Sequence, residues 1–417
     1  MMKKTHIKFL FFFALLLSGT TLFSQVQFNM LSDYGTPIMD INSSGQGISL
    51  CGYYDFATNA ITAAETGVIR TSSMNDNGDV FGLIEDSNGN PIGAVRKNGI
   101  WTPLAGTITL GEEDELYDIS ENGKWVVGQL GWTMELGSWG FIYNTETQEF
   151  RIMNSSLYQY GAAYAVNNQG IAVGWVEDLN TGARMPSIFM PDGSIVVIDP
   201  SEGVAGGINN EGKIVGSADG EAFIYDMSTQ TLETFDAPQG AVEFAFSCIS
   251  DNGIVVGFAT YGMFTRLPFI YNPETDTAPV LLSDFLEDNE IDATGLDGAA
   301  YKISSDGNYI GGFSNGPASG ANGWAVKLGE SEDPEDAVEE YNAFAISCYP
   351  NPTQDIITFN SEKMIQSVEI YNLVGQKVIS QDIINGSVQI AQLPAGVYMV
   401  KAITETGEMA TLKVVKQ

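Results

Sequence analysis

Aromatic and acidic residues recur side by side along the first three quarters of the chain. Tyr53, Tyr54 and Asp55 form one such group, Glu85 and Asp86 a second, and Trp132, Glu135 and Trp139 a third. Trp175, Glu177, Asp178 and Arg184 follow, then Phe258, Tyr261, Phe264 and Arg266. A flat apolar ring beside a hydroxyl-accepting carboxylate suits a sugar: the ring stacks and the acid takes hydrogen bonds. The candidate ligand-binding residues are therefore Tyr53, Tyr54, Trp132, Trp139, Glu177, Asp178, Tyr261 and Arg266. Trp175 and Phe258, directly after Val-Gly pairs, are expected to pack between structural units.

Reactive chemistry is narrowly bounded. The single histidine, His6, lies in the N-terminal leader, so the remaining chain has no imidazole. That excludes Ser-His-Asp and Cys-His catalysis and histidine-ligated zinc. No catalytic residue, metal site or cofactor is assigned. Hydrolysis by paired carboxylates is the remaining enzymatic route, with Glu177 and either Glu85 or Glu135 as the pair. Repeated Asn/Asp-Gly steps fit turns better than calcium loops, because they rarely hold more than one acid. Cys51, Cys248 and Cys348 are odd in number and widely spaced, and make no disulfide framework.

These residues must be held by more than one domain, given 417 residues. Residues 1–24 read as a signal peptide: Lys3, Lys4 and Lys8 precede an apolar run from Phe9 to Leu17, with cleavage expected between Ser24 and Gln25. The run is shorter than the roughly 20 residues of a spanning helix, and no later stretch is long and apolar enough to span. No cysteine follows the cut, so a lipid anchor is not expected. The whole chain carries 52 acidic and 18 basic residues. Segment 25–342 alone holds 46 acids against 10 bases. Such a surface repels phosphate backbones and anionic lipids, so nucleic acid and direct membrane adhesion are excluded as partners.

One phrase recurs seven times: an apolar residue, Asn or Ser, two mostly polar residues and Gly, then an apolar stretch closing on Gly. It begins at Ile41, Met74, Ile119, Val166, Ile208, Ile249 and Ile303. The glycines of the phrase, from Gly45 to Gly307, lie 33, 45, 47, 42, 41 and 54 residues apart. Asn-x-x-Gly between apolar runs makes a tight hairpin with Gly at positive φ. Third strands are read at Trp139 to Asn144, Pro186 to Met190, Glu221 to Asp226 and Leu267 to Asn272. Four short strands per unit of about 40 to 45 residues is the β-propeller period. The fold class is all-β: a seven-bladed propeller over 25–328, with six blades as the competing count, then a small β-sandwich. The last unit lacks a fourth strand, and Val26 to Leu31 is expected to supply it, closing the ring and hiding an open edge.

At these residues the chain resembles the HAF-type extracellular repeats of bacterial proteins. The Asn-x-x-Gly…Val-Gly hairpin and the third strands Ala222-Phe223-Ile224-Tyr225 and Trp324-Ala325-Val326 carry the likeness, over roughly 38–328. The naming histidine is replaced by Glu221 or Pro268. The resemblance implies an extracellular location and no defined chemistry.

Residues 329–342 form an acidic, proline-interrupted linker expected to stay extended. Seven short strand-like runs then crowd into 343–417, the signature of a β-sandwich. Tyr349, Pro350, Asn351 and Pro352, the segment reaching Gly375, the Leu-Pro-Ala-Gly-Val-Tyr run with Gly396 and Tyr398, and the end from Lys413 to Lys416 strongly resemble the type A sorting domain of the type IX secretion system. The resemblance implies that residues 343–417 engage that machinery and direct the protein to the outer surface or medium of a Bacteroidetes-type bacterium. The sequence thus points to a secreted or surface-attached binding propeller with a glycan or protein ligand. A carboxylate-dependent carbohydrate-active enzyme and a structural envelope component are the alternatives.

Overall fold

The computed structural model describes residues 26–416 apart from 32–36, 51, 106–113, 134–136, 263–264, 316–321, 329–345, 362, 373–376, 384–385, 395 and 405–408. The signal-peptide segment, the acidic linker, Cys51, Glu135, Phe264 and Gly375 lie outside the described residues. Two compact units divide the chain, Met1–Glu330 and Ser331–Gln417.

The first unit contains seven four-stranded antiparallel sheets, one per repeat, which decides against the six-bladed count. Blades 1 to 6 take their strands in chain order from residues 40–63, 68–103, 115–153, 161–197, 203–235 and 243–281. Blade 7 uses Ala299–Ile303, Tyr309–Phe313 and Gly323–Lys327, and its outer strand is Gln27–Met30. Gln27 pairs with Lys327 and Met30 with Trp324. The ring is thus closed by its N-terminal strand, as the unfinished seventh repeat anticipates. Blade 1 fits its short repeat by shrinking the inner strand to Asp40–Ile41. One helix, Leu282–Asp288, follows blade 6 and buries Leu282 and Leu286 under blade 7.

Every phrase makes the hairpin between a blade's first two strands, and all seven of its glycines have positive φ, from 66° at Gly123 to 89° at Gly253. The Asn is as important as the Gly. Asn209 Oδ1 accepts the Lys213 amide at 2.9 Å within its own turn, while its Nδ2 donates to the Ser250 carbonyl of the next blade at 3.0 Å. Asn42, Asn75 and Asn167 make the same donation to the neighbouring blade. At Ser120 and Ser250 the hydroxyl keeps the local bond and an Asn two residues on makes the bridge, whereas in blade 7 the residue two on from Ser304 is Asp306. Asn122 Nδ2 reaches the Asn168 carbonyl at 3.1 Å, and Asn252 Nδ2 the Asp306 carbonyl at 2.9 Å. The repeat therefore encodes a belt of hydrogen bonds between blades as well as seven turns.

The second glycine of the phrase answers a different need. A Cβ on Gly174 would overlap the Ala162 carbonyl oxygen of the inner strand, and one on Gly216 the Val204 carbonyl. Between blades the core divides into apolar clusters that each span a junction. Phe81, Leu83 and Val95 of blade 2 meet Leu116, Ile119 and Phe141 of blade 3, and the pattern repeats around the ring.

The second unit is a sandwich of a three-stranded and a four-stranded antiparallel sheet over a core of Ile357, Val368, Ile370, Val400 and Val414. The sorting-motif residues occupy defined places in it. Asn351 Oδ1 accepts the Val415 amide at 2.9 Å, tying the Tyr349-Pro350-Asn351-Pro352 run to the final strand. Tyr398, 6% exposed, donates to the Pro394 carbonyl at 2.9 Å, and Gly396 pairs with Lys416. Lys413 pairs through its backbone with Met399.

Candidate functional site: the axial channel

The inner strands of blades 2 to 7 share one irregularity. Register slips between Thr71 and Ser73, Leu116 and Asp118, Ala163 and Ala165, Ala205 and Gly207, Phe246 and Cys248, and Ala300 and Lys302. Each slip is a β-bulge, which re-aims side chains and takes an amide out of the ladder. The extra residues are Ser72, Tyr117, Tyr164, Gly206, Ser247 and Tyr301, with Met39 at the matching place in blade 1. This position and the next one populate the middle of the ring.

The deeper level is polar and closed. Lys302 Nζ of blade 7 donates to Asp118 Oδ1 of blade 3 at 2.7 Å, and these blades are not neighbours, so the bond crosses the axis. Ser73 Oγ lies 2.8 Å from Asp40 Oδ2 and 3.1 Å from Asp118 Oδ1. The Met74 amide donates to Asp40 and the Val166 amide to Asp118, so both carboxylates take up amides of the following blade. Lys302 and Asp118 side chains are only 16% and 12% exposed. Burial by itself would lower the Lys302 pKa, but the carboxylates of Asp118 and Asp40 outweigh it and hold the ammonium well above the usual lysine range. Burial raises the Asp40 carboxyl against the pull of Lys302. The space here is about 60 Å³, too small for an organic ligand. Cys248, partly buried on this wall, has its thiol pKa raised by burial.

The other level opens into a cavity of about 490 Å³, within the range of small-molecule sites. Tyr117, Tyr164 and Tyr301 line it with Trp175, Arg70, Arg184, Glu115 and Gln129. Tyr117 and Tyr164 meet edge to face at 4.8 Å between centroids. The Trp175 indole donates to Tyr164 Oη at 3.0 Å, and the Arg184 guanidinium lies 4.5 Å over the Trp175 ring. Tyr117 donates to Gln129 Oε1 at 3.2 Å. Arg70 Nη1 pairs with Glu115 at 3.2 Å and Nη2 donates to the Asp114 carbonyl at 2.9 Å. Arg70 Nε and Ser72 Oγ, on the same wall, have no partner among the described residues. Burial pushes the Tyr117 and Tyr164 hydroxyls up, so both are protonated donors.

The residues singled out from sequence fall in several places, and none of the eight lines this cavity. Tyr54 is 2% exposed and belongs to the core between blades 7 and 1, burial raising its hydroxyl pKa to about 12. Tyr53 donates to Glu65 at 2.6 Å and lies under Arg96, 5.0 Å from its ring centroid. Trp139 packs beside Tyr160, 6.4 Å between centroids. Asp178 caps its own turn through the Asn180 amide, and Glu177 pairs across the strands with Arg184. Tyr261 ends the second strand of blade 6, and Arg266 stacks on Phe258 at 4.6 Å. The strand of Trp132 is described, its side chain is not. Trp175 is 3% exposed, with its hydrogen bond to Tyr164 and its contact with Arg184 inside blade 4, and its ring forms part of the cavity wall. Arg70, Glu115, Tyr117, Tyr164 and Tyr301 were missed. Their signal was present: three of them stand three residues before the Asn or Ser of a repeat phrase.

Among the described residues no group of three or more His, Cys, Asp or Glu side chains is placed to hold a metal ion. No helix among them is long and apolar enough to cross a membrane. Residues 347–417 match the family model of the secretion system C-terminal sorting domain. The chain carries a type IX sorting domain. The protein is accordingly extracellular or surface-associated. No curated protein matches the chain.

Similar solved structures include the extracellular domain of a protein described as a hybrid two component system from B. thetaiotaomicron. It is 12% identical, with 93% of this chain and 57% of that one covered and a TM-score of 0.42. The chain thus spans little more than half of that structure's length. Oligogalacturonate lyase from Vibrio parahaemolyticus shows 10% identity over 74% of this chain and 98% of that one, TM-score 0.45. The β-propeller domain of the Trilobed protease from Pyrococcus furiosus shows 9% over 74% and 99%, TM-score 0.48.

Proposed function

We propose that the propeller is an exported binding module that takes a glycan into the channel mouth. The observation that carries this reading is the cavity itself: three tyrosines and a tryptophan converge with Arg70, Arg184, Glu115 and Gln129 around about 490 Å³. Aromatic faces beside fixed polar groups are what a sugar ring requires. Binding is favoured over hydrolysis because Glu115 is the single carboxylate among the described cavity-lining residues and is held by Arg70. A glycosidase needs two acids across the scissile bond. The HAF-type resemblance of the repeats agrees with an extracellular ligand. A glycan array probed with the mature chain should retain at least one sugar class, and Tyr301→Ala should weaken that sugar about tenfold, the worth of one ring contact. Retention of no glycan would refute the reading. Hydrolysis of the retained sugar would replace it with the enzymatic one.

A further inference from the structure

The cavity wall has a surplus of hydrogen-bond donors. Gln129 Oε1 is taken by Tyr117, and Glu115 is paired with Arg70. Tyr164 already accepts from Trp175, leaving its own hydroxyl proton to give. Ser72 Oγ and Arg70 Nε have no partner, and the Arg184 guanidinium forms no ion pair among the described residues. The groups left to be satisfied are therefore mostly donors, and Arg184 is the cation among them without a carboxylate partner among the described residues. Only 10 bases stand against 46 acids in segment 25–342.

We infer that the ligand is an acidic sugar whose carboxylate is held by Arg184 at the mouth of the cavity. The inference rests on the glycan-binding reading and narrows it. Arg184 is exposed at the rim, and its stacking on Trp175 fixes the plane of the guanidinium. Such a planar fork can take two oxygens of one anionic group, a carboxylate among them. A singly charged carboxylate meets less repulsion from the acidic body than a doubly charged phosphate ester would, and O-sulfated sugars separate carboxylate from sulfate by experiment. Ser72 and Tyr164 remain to donate to ring hydroxyls.

The test uses the full mature chain and calorimetry with glucuronate- and mannuronate-containing tetrasaccharides, the same sugars after reduction of each carboxyl to an alcohol, and O-sulfated neutral tetrasaccharides. The expected result is at least about tenfold tighter binding of a uronate than of its reduced partner, the worth of one charged hydrogen-bonded contact. Arg184→Gln should abolish that discrimination without lowering Tm. Arg266→Gln, which removes the equivalent stacked guanidinium of blade 6 away from the cavity, should preserve it. Equal affinity for acidic and reduced sugars would overturn the inference and leave the glycan-binding reading intact. So would preference for the sulfated sugars, or discrimination that survives in Arg184→Gln. Failure of every sugar to bind would overturn both.

Discussion

Glu121 lies in the hairpin of blade 3 with Oε2 2.8 Å from the Asp76 amide of blade 2. Burial, reinforced by the Asp76 carboxylate, raises its pKa to about 8. A pKa raised on folding means the native state holds the proton more tightly than the unfolded chain. Its contribution to stability is complete below about 4.5, the unfolded value, and is lost as pH climbs through 8. Glu121→Gln keeps an acceptor for the Asp76 amide and cannot ionise. Its Tm should exceed that of the wild type at pH 9, by an amount on the order of 2 kcal/mol in stability, and match it near pH 4. An equal shift at both pH values would show that the carboxyl's titration is not responsible. The single-residue scale is also where sequence reading was weakest. The search for aromatics beside acids favoured strand ends and loops, and so found Tyr53, Trp139 and Asp178. It passed over Tyr117, Tyr164 and Tyr301, because a strand residue in an alternating run is expected to face its own blade. The bulges that turn these three toward the axis are marked only by position, three residues ahead of the Asn or Ser of the phrase, and not by composition.

Strands and hairpins were far more legible, since each repeat states its own turn. The Asn/Ser-x-x-Gly phrase located all seven inner hairpins, and the apolar third strands fell where Trp139 to Asn144 and Glu221 to Asp226 were read. The glycine after the second strand's valine marked a strand end in sequence but is a packing residue in the structure. It sits against the inner-strand carbonyl at the level of the bulge, so the two features are coupled: the carbonyl can approach because the facing residue has no Cβ. Gly174→Ala tests this element directly. Its Cβ would overlap Ala162 backbone rather than a movable side chain, so the inner strand of blade 4 must shift. Backbone shifts of this kind cost about 1–3 kcal/mol, and chemical denaturation should show the loss. Gly182→Ala is the control for glycine removal in the same blade, because nothing lies within 4 Å of a Cβ there and its φ of 75° adds only local strain. A loss at Gly174 no greater than at Gly182 would remove the packing argument.

The whole molecule depends on a pairing between residues about 300 positions apart in sequence. Phe28 and Met30 pack on the cluster of Leu282, Leu286, Ile303 and Trp324, so the closing strand is also part of the core of the last blade. The reason to expect it could be read from topology alone: a blade with three strands at one end of the repeats and an unassigned apolar run at the other. Removing residues 26–31 should do two things that a local loop deletion would not. Blade 7 would lose its Gln27–Met30 outer strand, leaving Gly323–Lys327 as an unpaired edge next to uncovered apolar side chains. Such an edge is a template for pairing with another chain. The truncated protein should melt at lower temperature and elute as a concentration-dependent oligomer in size-exclusion chromatography. A synthetic peptide spanning Val26 to Leu31 should reverse both changes by filling the vacant strand position. If the truncated chain stayed monomeric with an unchanged melting profile, closure would be dispensable, and the ring would be held by the hairpin hydrogen-bond belt and the Lys302–Asp118 bond across the axis instead.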